Sequence, residues 1–236
     1  VAAAIKNKYN IPVVPHIICS GFTKEETEYV LIDLKFLDIN DLLLLRGDKA
    51  KYEKAFVATG HRHATELQEQ VNRFNEGYFL DGTKMRVIDQ PFSYGMACYP
   101  EKHEESPNME TELHWAKKKV DNGAEYLVTQ MFFDNRKYFD FVAKCRETGI
   151  DVPIIPGLKP VTFMNQLTVL PQIFKSDIPE EFARELRKCK TDYEAAEVGV
   201  EWCTEQARDL ISHKVPSIHF YSLMATESVK RVAQQV

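Results

Sequence analysis

What the 236-residue chain lacks narrows its class before any motif is read. No apolar run approaches the roughly 18 residues of a membrane span, and no signal-peptide pattern opens the chain. No Gly/Ser-rich or Pro-rich linker, internal repeat or low-complexity tract divides it, so a single domain over residues 1–236 is the economical organisation. Basic residues are not in excess: 30 against 35 acidic ones leave a formal charge of −5, which argues against nucleic acid or an acidic membrane as the main partner. No CxxC pair occurs among the five cysteines, Cys19, Cys98, Cys145, Cys189 and Cys203. An odd, scattered set reads as reduced thiols of a cytoplasmic protein, not as a disulfide framework or a zinc site. There is no GxGxxG, no GxxxxGK[ST] and no GxSxG. An initiator Met is absent too, and the opening Val1-Ala2-Ala3-Ala4-Ile5-Lys6 reads as the body of a helix already under way. The expectation is a fragment that has lost its N-terminus.

What is present is the composition of an ordinary soluble globular protein, 44% apolar and 28% charged, with enough apolar residues for a sizeable core. Short, nearly continuous apolar runs recur at Val13–Cys19, Leu42–Leu45, Ser93–Tyr99, Tyr126–Phe132, Pro153–Leu158 and Ile218–Leu223. Such runs suit parallel strands covered on both faces. Helix punctuation fills the gaps. Thr23 and Glu26 have capping-box form before a stripe of Tyr29, Val30, Ile32, Leu34, Phe36 and Leu37. A second helix runs from Ser106 or Asn108 to Asn122–Gly123, and a third from Asn135 to Gly149 around Tyr138, Phe141, Val142 and Cys145. Two more fit between Ser176 and His213, starting near Asp177–Glu180 and Thr191–Asp192.

The strand starts lie 29, 51, 33, 27 and 65 residues apart. A βα unit takes about 30 residues, so three intervals fit directly and the two long ones hold insertions or extra helices. Alternating units imply a parallel sheet. Without a glycine-rich phosphate turn, an α/β (β/α)8 TIM barrel lacking its first two strands, about 60 residues, is favoured over an open doubly wound sheet.

Barrel chemistry sits at the carboxyl ends of strands. The second run ends Leu45-Arg46-Gly47-Asp48, a cradle for a cofactor or substrate, or else a solvated turn. The third ends Tyr99-Pro100-Glu101-Lys102-His103, where Tyr99 could stack on a planar ligand and His103 could donate to a phosphate or ribose, or where both simply pack. In the fourth, Gln130 is a long amide amid apolar residues; a heterocycle edge would satisfy it, as would backbone. The fifth gives Pro156-Gly157-Leu158-Lys159-Pro160 followed by Gln166, and the sixth gives His219-Phe220-Tyr221. His61-Arg62-His63 has the HxH form of metal-dependent barrel hydrolases, but it lies in a polar insertion just before a helix, Ala64–Phe74, where two exposed histidines are expected. Lys117-Lys118-Lys119 near a helix end reads as a solvated, dipole-complementing face from which one lysine could turn to an anion.

Taken together, these strand ends resemble the methylenetetrahydrofolate reductase family, flavin-dependent barrel enzymes of one-carbon metabolism. The resembling pieces are His16-Ile17-Ile18-Cys19, Leu45-Arg46-Gly47-Asp48, Tyr99-Pro100-Glu101-Lys102-His103, Lys119-Val120-Asp121-Asn122-Gly123-Ala124, Thr129-Gln130-Met131-Phe132-Phe133-Asp134, Ile155-Pro156-Gly157 and His219-Phe220-Tyr221. Their order and spacing match over essentially the whole chain. The resemblance implies FAD contacted by His16, Arg46, Gly47, Asp48, Ala64, Tyr99, His103, Glu112, Lys118 and Lys119. Glu112 stands where the family usually has Asp, and Lys118 where it often has Arg. Gln130 and Gln166 are implied to face the folate, and Asp48 is implied to be catalytic.

The implied reaction is NADH- or NADPH-dependent reduction of methylenetetrahydrofolate to 5-methyltetrahydrofolate, which supplies methyl groups for methionine synthesis, in the cytoplasm. A homo-oligomer is compatible with the resemblance. Two departures stand out. The family's proton-donating Glu, in a Phe-Glu-Phe-Phe-Pro-Pro type motif on the first strand, has no counterpart here, nor does the second-strand segment that helps hold the flavin, so turnover by this chain alone is expected to be impaired. After Tyr221 the family often continues Thr-Leu-Asn-Arg, whereas Ser222-Leu223-Met224-Ala225 follows here. The competing readings are a metal-dependent hydrolase using His61 and His63, and a non-catalytic remnant that binds folate or flavin.

Overall fold

A computed structural model of the chain describes residues 1–47, 57–86 and 90–236. Its contacts gather into two compact units: residues 1–97 with 118–126, and residues 98–117 with 127–236.

The first unit contains α1 (Ala2–Tyr9), β1 (His16–Ile18), α2 (Lys24–Phe36), β2 (Asp41–Leu45), α3 (Ala64–Asn75) and β3 (Ser93–Cys98, whose last residue counts with the second unit). The strands pair in parallel and in sequence order, His16 opposite Leu43 and Asp41 opposite Ser93. Leu42, Leu43 and Leu44 are all buried, as a strand covered on both faces requires. The capping box at α2 forms as expected, Glu26 N–H donating to Thr23 Oγ1 at 3.1 Å and Thr23 N–H to Glu26 Oε2 at 2.8 Å. The expected apolar stripe of α2 does not, apart from Leu34. Thr27, Leu31 and Leu34 face inward, while Tyr29, Ile32 and Phe36 are exposed, Phe36 by 89%. Helix α2 has too many apolar residues for one face, and spacing alone assigned the wrong set.

In α3, Leu67, Val71 and Phe74 supply the buried stripe, and the buried amide of Gln68 is spent on Tyr94 Oη and Lys119 O. A tyrosine crosses this sheet: Tyr126 Oη donates to Leu42 O at 3.1 Å, and its ring lies where a side chain on Gly95 would be.

The second unit holds most of α4 (Met109–Asp121) and β4 (Tyr126–Met131), then α5 (Asn135–Glu147), β5 (Ile154–Leu158), α6 (Gln166–Phe174), α7 (Glu180–Lys188), α8 (Asp192–Ser212), β6 (His219–Phe220) and α9 (Thr226–Ala233). Strands β4, β5 and β6 are again parallel neighbours in sequence order. The fold class is therefore α/β, built from parallel βα repeats whose successive strands lie side by side within each unit, as in a (β/α) barrel. Met131, Phe133, Val161, Leu170, Phe182, Leu186 and Ala195 form the core under α6, α7 and α8. Trp202 stacks on Phe182 with ring centroids 4.7 Å apart and donates from Nε1 to Phe133 O.

Helices α6 and α9 were not anticipated from the sequence. Neither has a side-chain cap on its first turn, and α6 carries Pro171 inside it. Tertiary packing, not local signal, makes them helical. None of the five cysteines is in a disulfide.

Candidate active site

In the first unit Arg46, Gly47 and Lys119 sit at or near the carboxyl ends of strands, whereas His16 opens β1 and Lys118 is exposed on the last turn of α4. Arg46 and Gly47 follow β2 directly. Cys19 N–H, just past β1, is shared between Leu45 O and Arg46 O at 3.2 Å each, which ties the two strand ends together. Gly47 has φ +84°, a conformation that favours glycine, and a Cβ there would lie 3.1 Å from Ser20 Oγ, which would have to give way slightly. Lys119 reaches back from α4 to donate from Nζ to Ala97 O at 2.8 Å, which brings its ammonium to the end of β3. Ala64 is the first residue of α3, at a helix N-terminus suited to an anion, and Lys118 precedes Lys119 in the last turn of α4. His16 opens β1, and desolvation holds its imidazole pKa below the usual value. Burial pushes the Cys19 thiol up to about 12, so it stays protonated. Asp48 lies outside the described residues. Arg46, Lys119 and a helix N-terminus fit a pyrophosphate-bearing ligand such as FAD in kind.

The second unit contains the remainder. The Tyr99 and His103 rings meet edge-on, centroids 4.8 Å apart. Glu112 is buried, and its Oε2 accepts from His103 N–H at 3.1 Å and Ser106 Oγ–H at 2.8 Å. That carboxylate oxygen shapes the loop that presents His103. Gln166, at the first position of α6, accepts at Oε1 from Thr162 N–H (2.7 Å) and Phe163 N–H (3.3 Å), which leaves its Nε2 side as the donor for a ligand.

Gln130 owes its orientation to a feature invisible in sequence. Val128 pairs with Ile155, but Met131 pairs with Gly157, so β4 carries one extra residue there, a β-bulge containing Thr129 and Gln130. Side chains satisfy the displaced backbone groups. Thr129 Oγ1 accepts from Gly157 N–H at 2.8 Å, Gln130 Oε1 from Met131 N–H at 2.9 Å, and Thr129 O from Tyr221 Oη–H at 2.8 Å. Tyr221 lies across Gly157 as Tyr126 lies across Gly95. Bulges re-aim side chains next to functional sites, and here one keeps Gln130 half-buried, not fully enclosed as the apolar run suggested. Sequence reasoning missed Thr129 as a support; the only signal was its position beside Gln130. After Tyr221, Leu223 and Met224 both take positive φ (39° and 75°), strained values for bulky residues, in the stretch that departs from the family pattern.

The histidine pair is resolved differently from expectation. His61 is buried, not exposed: its Nε2 lies 2.5 Å from Gln70 Oε1, and Gln70 donates to Lys24 O. It ties α3 to the start of α2. His63 is exposed at the N-cap of α3. Among the described residues no group of three or more His, Cys, Asp or Glu could hold a metal. Lys159, just past β5, is 2% exposed; its Nζ has no hydrogen-bond partner, and burial lowers its pKa. Among the described residues no helix is long and apolar enough to cross a membrane.

These observations define an α/β protein of the parallel βα-repeat class, with cationic, amide and aromatic side chains at strand carboxyl ends. A family model described as methylenetetrahydrofolate reductase matches residues 1–236, and the chain belongs to that family. It is 28% identical to "Methylenetetrahydrofolate reductase (NADH) 1" of Arabidopsis thaliana, over 97% of this chain and 38% of that one. Identity is also 28% to "Probable methylenetetrahydrofolate reductase (NADPH)" of Caenorhabditis elegans, over 100% and 34%. With "5,10-methylenetetrahydrofolate reductase" of Salmonella typhimurium it is 28%, over 96% and 71%. The chain thus spans little more than a third of the two eukaryotic relatives and 71% of the bacterial one.

Proposed function

We propose that this chain is catalytic-domain sequence of an enzyme that reduces 5,10-methylenetetrahydrofolate to 5-methyltetrahydrofolate with NADH or NADPH, through FAD. The observation that carries the reading is the family match over all 236 residues, joined to strand-end residues whose chemistry suits the ligands. FAD, when bound, relays the hydride between the two substrates. In this reading His16, Arg46, Gly47, Asp48, Ala64, Tyr99, His103, Glu112, Lys118 and Lys119 hold it. Arg46 and the lysines match its pyrophosphate, Gly47 admits close approach of backbone, and Tyr99 offers an aromatic face. Glu112 acts by shaping the His103 loop.

Gln130 and Gln166 serve the folate: each uses its carbonyl oxygen on nearby backbone, so each presents its amide N–H to a heterocycle edge. Opening of the methylene bridge develops positive charge on the folate, which the carboxylate of Asp48 would stabilise. A cytoplasmic location, small-molecule partners and a homo-oligomer belong to the same reading. It is tested by assaying the purified protein for NAD(P)H-dependent formation of 5-methyltetrahydrofolate and for flavin absorbance. Binding of FAD and folate is expected, with turnover impaired by the missing first-strand Glu; a protein that takes up neither ligand overturns the reading.

A further inference from the structure

The Tyr99–His103 segment is held from two sides by carboxylates. Glu112 grips it at His103 N–H, as described. On the other side Glu101, whose side chain is only 12% exposed, points away toward the turn before α7. Its Oε1 accepts from Asp177 N–H at 3.2 Å and lies 3.9 Å from Lys137 Nζ of α5; Lys137 is itself 3.4 Å from Asp177 Oδ2. The Lys175–Glu104 ion pair, at 3.9 Å, joins the same two stretches of chain further out. Between Glu101 and His103 the backbone turns through Lys102 at φ 62°, with Lys102 N–H donating to Tyr99 O. Alternate side chains are thereby sent in different directions.

We propose that Glu101 is a positioning residue for the Tyr99–His103 segment, tying it through its carboxyl group to the Asp177 turn and to Lys137. The proposal rests on the reading that Tyr99 and His103 contact FAD. In this proposal Glu101 acts through the segment and not on the ligand itself. Its partners make the tie sensitive to protonation. Burial is the largest influence and raises the carboxyl pKa to about 7; the facing charge of Asp177 adds to the rise, while the Asp177 N–H bond and Lys137 oppose it. A group whose pKa is raised in the tied arrangement favours that arrangement while protonated, so the tie weakens as pH climbs through about 7. Lys137 then has two carboxylates to neutralise instead of one.

The test is FAD affinity of the full chain, followed by fluorescence quenching between about pH 6 and about pH 8.5. Affinity should be higher on the acid side and fall as pH passes through about 7 in the parent protein. Glu101→Gln cannot ionise and should keep the acid-side affinity throughout. Asp177→Asn removes the facing negative charge and should move the fall to lower pH. Parallel pH profiles for the parent and Glu101→Gln would overturn the proposal. If no version binds FAD at any pH, the flavin reading fails by itself, and the Asp177 amide proton decides the tie. Its NMR shift should titrate near neutrality in the parent and stay flat in Glu101→Gln; a flat parent titration would also refute the proposal.

Discussion

Replacing Gly157 with alanine puts one methyl group into the tight space between Thr129 O and the Tyr221 ring. The new Cβ would lie 2.6 Å from Tyr221 Cε2 and closer still to Thr129 O. Thr129 O belongs to the bulged strand and has little freedom to retreat, so the Tyr221 ring must swing aside and give up its 2.8 Å bond to that oxygen. Overpacking of this kind costs about 1–3 kcal/mol, and the lost hydrogen bond about 0.5–1.5 kcal/mol. The expected total is about 2–4 kcal/mol, which for a chain of this size lowers Tm by roughly 5–15 °C. Urea and thermal denaturation followed by circular dichroism would measure it. Tyr221→Phe should cost only the hydrogen bond, about 1 kcal/mol. Because Gly157→Ala has already broken that bond, the double substitution should cost little more than Gly157→Ala alone, a coupling of about 1 kcal/mol. Folate affinity should fall as well, since the bulge aims Gln130. Strict additivity, or a Gly157→Ala loss below about 0.5 kcal/mol, would refute the account of how the bulge is held.

Three further outcomes are expected. Gln130→Ala should weaken folate use by roughly 5- to 150-fold through loss of about 1–3 kcal/mol of hydrogen bonding, while oxidation of NAD(P)H changes little; stopped-flow measurement of the two half-reactions separates these. In the intact enzyme Asp48→Asn, which preserves shape and removes charge, should slow folate reduction by roughly 10- to 1000-fold in single turnovers and leave NAD(P)H oxidation unchanged or faster. Lys159→Met should stabilise the protein at neutral pH by about 1–3 kcal/mol, since burial lowers the lysine pKa and its Nζ is unpaired. A base disfavoured in its charged form costs the native state more as pH falls below the ordinary lysine range. The advantage of Lys159→Met in urea midpoint should therefore shrink as pH rises toward about 10.

Much of this protein is written locally. The βα alternation, the capping box at Thr23 and Glu26, the caps of α5 and α8 at Asp134 and Thr191, and the buried Tyr138–Phe141–Cys145 face are all short-range features, each set by spacing or by a side chain bonding to backbone a few residues away. The strand-end residues were legible for the same reason, because a parallel βα repeat dictates where its strands end and hence where chemistry gathers. Contacts between residues far apart in sequence decided the rest. Which apolar face of α2 is buried depends on what packs against it, so Leu31 turned inward and Phe36 outward. His61 became a buried tie to Gln70, not an exposed histidine, because the start of α2 supplied Lys24 O for Gln70. The bulge at Thr129–Gln130 needs Gly157 from the next strand and Tyr221 from 92 residues along the chain. The raised pKa of Glu101 requires Asp177 and a burial that only folding creates. Local sequence chooses an element by its own hydrogen bonds and periodicity; a buried polar group can be understood only once distant partners for it exist.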